Sequence, residues 1–264
     1  MFYVDRTTVA PGDDGGMIPL LRFGGPDCRA AVAPSRGGEL CSLEFWGPTE
    51  GGGTCWREVL HLAADYRTQP DPSAWRGKAP VLFPAVGRNY TDAQLAEAGG
   101  ESAMRQPAKC KYVCQGAARE MPLHGFAQNT IWREVAHSVN GEGVIVVLEA
   151  GANDAPIASK TYYPFVDWRL RMEFCILSGK GLTVKMIVSN GGETTMPFSV
   201  GTHPTFRCKD ANGYLDGTHL VDLKLSNFSC LTGEVTADYT GSKLAATRFC
   251  NNILAASPGV EGAH

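Results

Sequence analysis

The sequence predicts an all-β chain, a sandwich of many short antiparallel strands. Three observations carry this. Short runs rich in Val, Leu, Phe and Tyr recur along the whole chain. Its 31 glycines and 16 prolines are spread between those runs as turns rather than gathered into linkers. Convincing helices are scarce.

The elements follow in order. Strands are expected at Cys28–Ala33, Leu40–Trp46, Lys109–Cys114, Trp132–His137, Val144–Ala150, Arg169–Leu177, Leu182–Ser189 and Leu220–Leu225. Alternation is clearest in Leu182–Ser189, where Leu182, Val184, Met186 and Val188 share one face. Asn140-Gly141 between two strand-like runs reads as a hairpin turn. Asn190-Gly191-Gly192 ends a strand. One helix is expected over Thr91–Ala98, from a capping threonine to Gly99-Gly100, as a surface insertion. After Phe228 small residues dominate and periodicity is weak. There is no solenoid repeat and no sharp internal boundary, so residues 1–264 are read as one domain.

Composition narrows the function. A hydrophobic content of 44% supports a real core. A net charge of -3 with 19% charged residues gives no basic face for nucleic acid and no acidic disordered tail. No apolar run approaches the roughly 18 residues of a membrane span. The N-terminal MFYVDRTT lacks the charged-then-apolar pattern of a signal peptide, so the cytoplasm is the expected location. Nine cysteines at irregular spacing fit buried, reduced thiols. Cys110 and Cys114 could begin a metal site, but no second Cys/His pair stands at finger-like spacing, and no metal is expected.

Two histidines stand in stiff local frames. His124 in PLHGF follows a proline-led approach and precedes Gly125, where the chain can turn sharply. His203 in GTHPTF sits between a Gly-Thr turn and Pro204, which holds it extended. Imidazoles in such frames suit proton transfer near neutral pH. The plainer reading of each is a packing histidine bonded to a carbonyl. His61, His137, His219 and His264 lack this framing and are expected at the surface or in packing. Arg88, after an apolar run and Gly87, offers a fixed fork of donors suited to sugar hydroxyls or a carboxylate, and Asn89 could share that role. Trp46, Trp56, Trp75, Phe126, Phe165 and Phe206 are aromatic candidates for a sugar's C–H face. Only Phe126 and Phe206 lie near the histidines in sequence. GxSxG, P-loop and dinucleotide-binding fingerprints are absent.

Several of these segments together resemble the aldose 1-epimerase (galactose mutarotase-like) family. They are PSRGGELCSL from Pro34, WRGKAPVLFPAVGR from Trp75, MPLHGFAQNTIW from Met121, YYPFVDWRLRMEF from Tyr162 and MPFSVGTHPTFR from Met196. The matched span runs from about Ala33 to about Phe206. The resemblance implies a galactose mutarotase-like β-supersandwich and a cofactor-free interconversion of hexose anomers. It implies a small-molecule sugar as partner, with no nucleic acid or membrane, in a monomer or homodimer. It assigns the general acid to His203, polarisation of the sugar to His124 and hydroxyl binding to Arg88. The chain departs from the family in two places. Gln128 stands where HGFAR carries arginine, and no C-[IL]-E-P-W segment supplies a glutamate base. Glu234, Asp238 and Glu261 have no matching surroundings. The tail over 207–264 is therefore expected to be divergent or truncated, without the family's closing strands. A sugar-binding protein without the base is the alternative to an enzyme, and an unstable fragment is the third reading.

Overall fold

The computed structural model describes residues 1–9, 17–49, 51–60, 79–86 and 109–205, and the backbone of four short strands beyond them. Packing divides the chain into two compact units, Met1–Phe206 and Arg207–His264. The boundary coincides with the end of the motif-bearing span.

The first unit holds two antiparallel sheets. Strands β1 (Tyr3–Val9), β2 (Ile18–Gly24), β3 (Cys28–Ala33), β4 (Glu39–Pro48) and β5 (Thr54–Glu58) form a meander in chain order. Strands β9 (Arg133–Val139), β10 (Gly143–Gly151), β11 (Trp168–Leu177) and β12 (Gly181–Asn190) form the second sheet, in the order β12-β11-β10-β9. β11 shows why the sheets face each other. Trp168, Leu170, Met172, Phe174 and Ile176 are all buried, two residues apart, while the residues between them are not. They pack on Leu21 and Phe23 of β2 and on Cys28, Ala30 and Val32 of β3 in one core. The Phe23 and Phe174 rings meet across it at 5.9 Å.

Asn140 makes the β9–β10 hairpin as its Asn-Gly pair predicts. Its N–H donates to the Gly143 carbonyl, and its Oδ1 accepts the N–H groups of Glu142 and Gly143, both at 2.9 Å. A ribbon of β7 (Lys109–Cys114) and β8 (Ala117–Pro122) leads to His124. Two very short strands, β6 (Val81–Leu82) and β13 (Gly201–Thr202), pair antiparallel. Among the described residues no helix is long and apolar enough to cross a membrane.

In the second unit, β14 (Tyr214–Leu215) pairs with β16 (Leu244–Ala245), and β15 (Phe228–Cys230) with β17 (Leu254–Ala256), both antiparallel. The expected strand Leu220–Leu225 and the expected helix Thr91–Ala98 lie outside the described residues.

Candidate functional site

His124 and His203 are neighbours. Their ring centroids are 6.0 Å apart, with the planes at 68°. The short segment Pro80–Val86 brings them together, holding one frame on each side.

His124 sits in a turn. The Gly125 N–H donates to the Pro122 carbonyl at 3.0 Å, closing four residues in which His124 takes φ +62°. A positive φ at the third position is that of a type II turn, where glycine or asparagine is the usual resident. Gly125 follows at φ +70°, so two successive residues are left-handed. An added Cβ on Gly125 would overlap the Phe83 carbonyl, so only glycine fits. That carbonyl accepts the N–H groups of Phe126 at 2.8 Å and Ala127 at 3.1 Å. His124 is thereby tied to the middle of Pro80–Val86. It is 4% exposed, a buried polar side chain.

His203 is held by ladder pairing instead. Gly201 pairs with Leu82 and Thr202 with Val81, and the His203 N–H continues the row to the Pro80 carbonyl at 3.1 Å. Ser199 reinforces the other end. Its N–H donates to the Pro84 carbonyl at 2.9 Å, and its Oγ accepts the Val86 N–H at 2.8 Å. Tyr163 fixes the approach by donating its hydroxyl to the Pro197 carbonyl at 2.9 Å. Burial pushes that phenol well above its ordinary range, so it stays a donor. The His203 ring is half-buried. Loss of solvent lowers its pKa from the ordinary 6.5, opposed by a backbone hydrogen bond that favours the charged form.

Phe83 centres the arrangement. Its ring packs against Phe126, Tyr163, Trp168 and Phe198 at centroid distances of 5.2–6.1 Å. Phe126 needs correcting as a sugar contact. It is 1% exposed, and its ring is committed to Phe83, Tyr162, Tyr163 and Trp168, so it supports the His124 loop from inside the core. Phe165 is likewise in the core, while Trp46 and Trp56 form an edge-to-face pair across β4 and β5. His137 lies on β9, bonded to Glu134 at 2.6 Å and well exposed. Arg88, Asn89, Phe206, Trp75, His61, His219 and His264 lie outside the described residues.

Two contributors escaped sequence reasoning. Phe83 stands in the LFP segment, where the resemblance assigns a role only to the arginine that follows. A bulky aromatic between an apolar run and a proline was the available signal. Glu39 was the other, a carboxylate set between two glycines and an apolar strand. It is 4% exposed and accepts the Ala79 N–H at 3.0 Å. Gln128, in the place of the family's arginine, is 6% exposed and sits inside the fold. An apolar cavity of about 140 Å³ lies between the sheets and reaches Thr202 and Pro204. Its walls offer a sugar almost no polar partner. Among the described residues no three His, Cys, Asp or Glu side chains gather as metal ligands would.

The sequence model of the aldose 1-epimerase family matches residues 103–235, half of the chain, including both histidines and running past Phe206. Protein LacX of Lactococcus lactis is 29% identical over 150 residues, covering 56% of this chain and 43% of LacX. The match thus spans less than half of that relative's length. Among solved structures, a Synechocystis protein superposes with a TM-score of 0.54 at 22% identity, over 83% of this chain and 65% of the other. A galactose mutarotase-like protein from Clostridium acetobutylicum gives 0.52 at 18%, over 78% of this chain and 54% of the other. At such identities these two establish a shared fold.

Proposed function

The chain belongs to the aldose 1-epimerase family, and from that premise we propose that it interconverts the α and β anomers of a hexose. The observation that carries this reading is the 6.0 Å approach of His124 and His203. Imidazoles held this close can serve a single ligand.

The reaction transfers protons while one C–O bond opens and closes again, with no net change of oxidation state. His203 delivers one to the ring oxygen as the C1–O5 bond breaks. A base takes the anomeric hydroxyl proton, leaving the open-chain aldehyde. His124 donates to a sugar oxygen and polarises it. Rotation about C1–C2 and closure on the other face reverse the transfers. Arg88 and Asn89 are proposed to hold sugar hydroxyls, with Phe206 against the ring. The base is unassigned, and the sequence lacks the family's C-[IL]-E-P-W segment. The second reading is a sugar-binding protein without that base and without turnover.

Polarimetry on freshly dissolved α-glucose and α-galactose separates the two. The enzyme reading expects mutarotation above the buffer rate, and a His203→Asn loss of about 10²–10⁴-fold in kcat/KM. Sugar binding seen by calorimetry with mutarotation at the buffer rate would instead establish the second reading.

A further inference from the structure

We propose that Glu39 is a positioning residue that sets the spacing of the two imidazoles, because the corner it stands on touches both histidine frames. This rests on the two rings acting as one site.

The corner is Pro34–Leu40. A 3-10 turn over Pro34–Arg36 passes into Gly37 at φ +72° and Gly38 at φ +65°, and β4 begins at Glu39. One side of the corner lies against the chain that follows His124. A Cβ on Gly37 would come within 2.6 Å of the Gln128 Cα, and one on Gly38 within 2.9 Å of the Trp132 ring. The Trp132 N–H donates to the Pro34 carbonyl at 3.0 Å. Gln128 belongs to the turn Ala127–Asn129, whose first N–H is held by Phe83.

The other side holds the segment that pairs with the chain carrying His203. The Glu39 carboxylate accepts the Ala79 N–H at 3.0 Å. The next residue is Pro80, which has no N–H to offer and whose carbonyl takes the His203 N–H. Ala79 is therefore the last donor through which the start of the β6 segment can be held before the ladder to His203 begins. A carboxyl group as buried as Glu39 is costly to desolvate and needs hydrogen-bond partners such as the Ala79 N–H in return. Beside the direct link through Pro80–Val86, a second path from ring to ring runs His203, Pro80, Ala79, Glu39, the two glycines, Gln128 and His124.

Imidazole proton–nitrogen correlation spectra of the whole chain test this without requiring turnover. Glu39→Ala should move the His124 and His203 ring resonances together and leave those of His137 on β9 in place. Glu39→Gln keeps an acceptor oxygen at the same reach and should restore both. Should Glu39→Ala not fold, Glu39→Asp draws the carboxylate back by one methylene and should displace the same two rings. Unmoved rings in the Ala or Asp variant, equal displacement of His137, or a Gln variant that behaves like Ala would each overturn the assignment. If the chain proves to be a mutarotase, Glu39→Ala should also lower kcat about 10- to 100-fold with a smaller change in KM. Absence of mutarotation in the wild type would sink the enzyme reading alone, since the spectra report spacing directly.

Discussion

The two histidine frames solve one problem in opposite ways. His124 is shaped locally, by a left-handed pair of residues at a turn that closes within four positions and docks on the Phe83 carbonyl. His203 is fixed at long range, by strand pairing with residues more than a hundred positions earlier. The first frame depends on what one backbone can adopt. The second depends on a row of hydrogen bonds, no single one of which is indispensable. A single added atom should therefore break the first, whereas the second should yield in small steps.

Gly125→Ala is the largest expected effect. The new Cβ would overlap the Phe83 carbonyl at a φ of +70°. Overpacking costs about 1–3 kcal/mol, and the left-handed conformation about 1–2 more. A total of about 2–5 kcal/mol should appear as a lower urea midpoint at unchanged slope. Amide exchange would sharpen the comparison. Protection at Phe126 and Ala127 should fall while that at Thr202 and His203 holds. A midpoint within about 0.5 kcal/mol of wild type would mean that the turn relaxes and that glycine is not its determinant.

Ser199→Ala strikes the other frame more gently. It removes the Oγ that accepts the Val86 N–H and leaves the rest of the ladder intact. One lost hydrogen bond with a partly buried donor left behind costs about 1–2 kcal/mol. Faster exchange should be confined to Val86 and its neighbours. If His124 and its turn loosened equally, the two frames would be one cooperative unit and the contrast between them would fail.

The sheets were far more legible than the site, for a physical reason. β3 and β7 occupy the ranges their composition predicts, and β9 to β12 begin within one residue of theirs. Each of these carries enough consecutive residues to show its period. β12 carries the expected row, yet Val184 is 37% exposed, because among the described strands β12 pairs only with β11 and forms an edge. β1 and β8 are too polar to read as strands, and β2 carries Pro19 inside its run, opposite Thr8 of β1. Proline is tolerated there, though it argues against a strand in the sequence alone. β6 and β13, two residues each, have no period to read. They pair beside Phe83, which is buried among aromatic rings from distant elements. The histidine motifs were visible as separate stiff frames. Their meeting depended on that tertiary anchor, and so did the burial that withdrew Phe126 from the sugar-contact role.

The smallest expected effect is in pH, and it distinguishes the frames by solvent. Burial lowers the pKa of His203 below its unfolded value, so the folded chain resists the proton that the unfolded chain accepts. Above about pH 6.5 the ring is neutral in both states and costs nothing. As pH falls the unfolded chain binds its proton first. Stability should then decline until the folded pKa is passed, and level off below it. Urea midpoints of wild type and His203→Asn, compared across this window, isolate the term: wild type should lose ground to the variant as acid is added. In the same window the proton-donating form of His203 becomes more populated, so kcat/KM should rise as pH falls toward the folded pKa, unless the unassigned base is protonated first. A variant that tracked wild type at every pH would place the ring in solvent. The pair would then be a chance approach of two imidazoles, one of them wet, rather than a shielded place where a proton can be handed to a sugar.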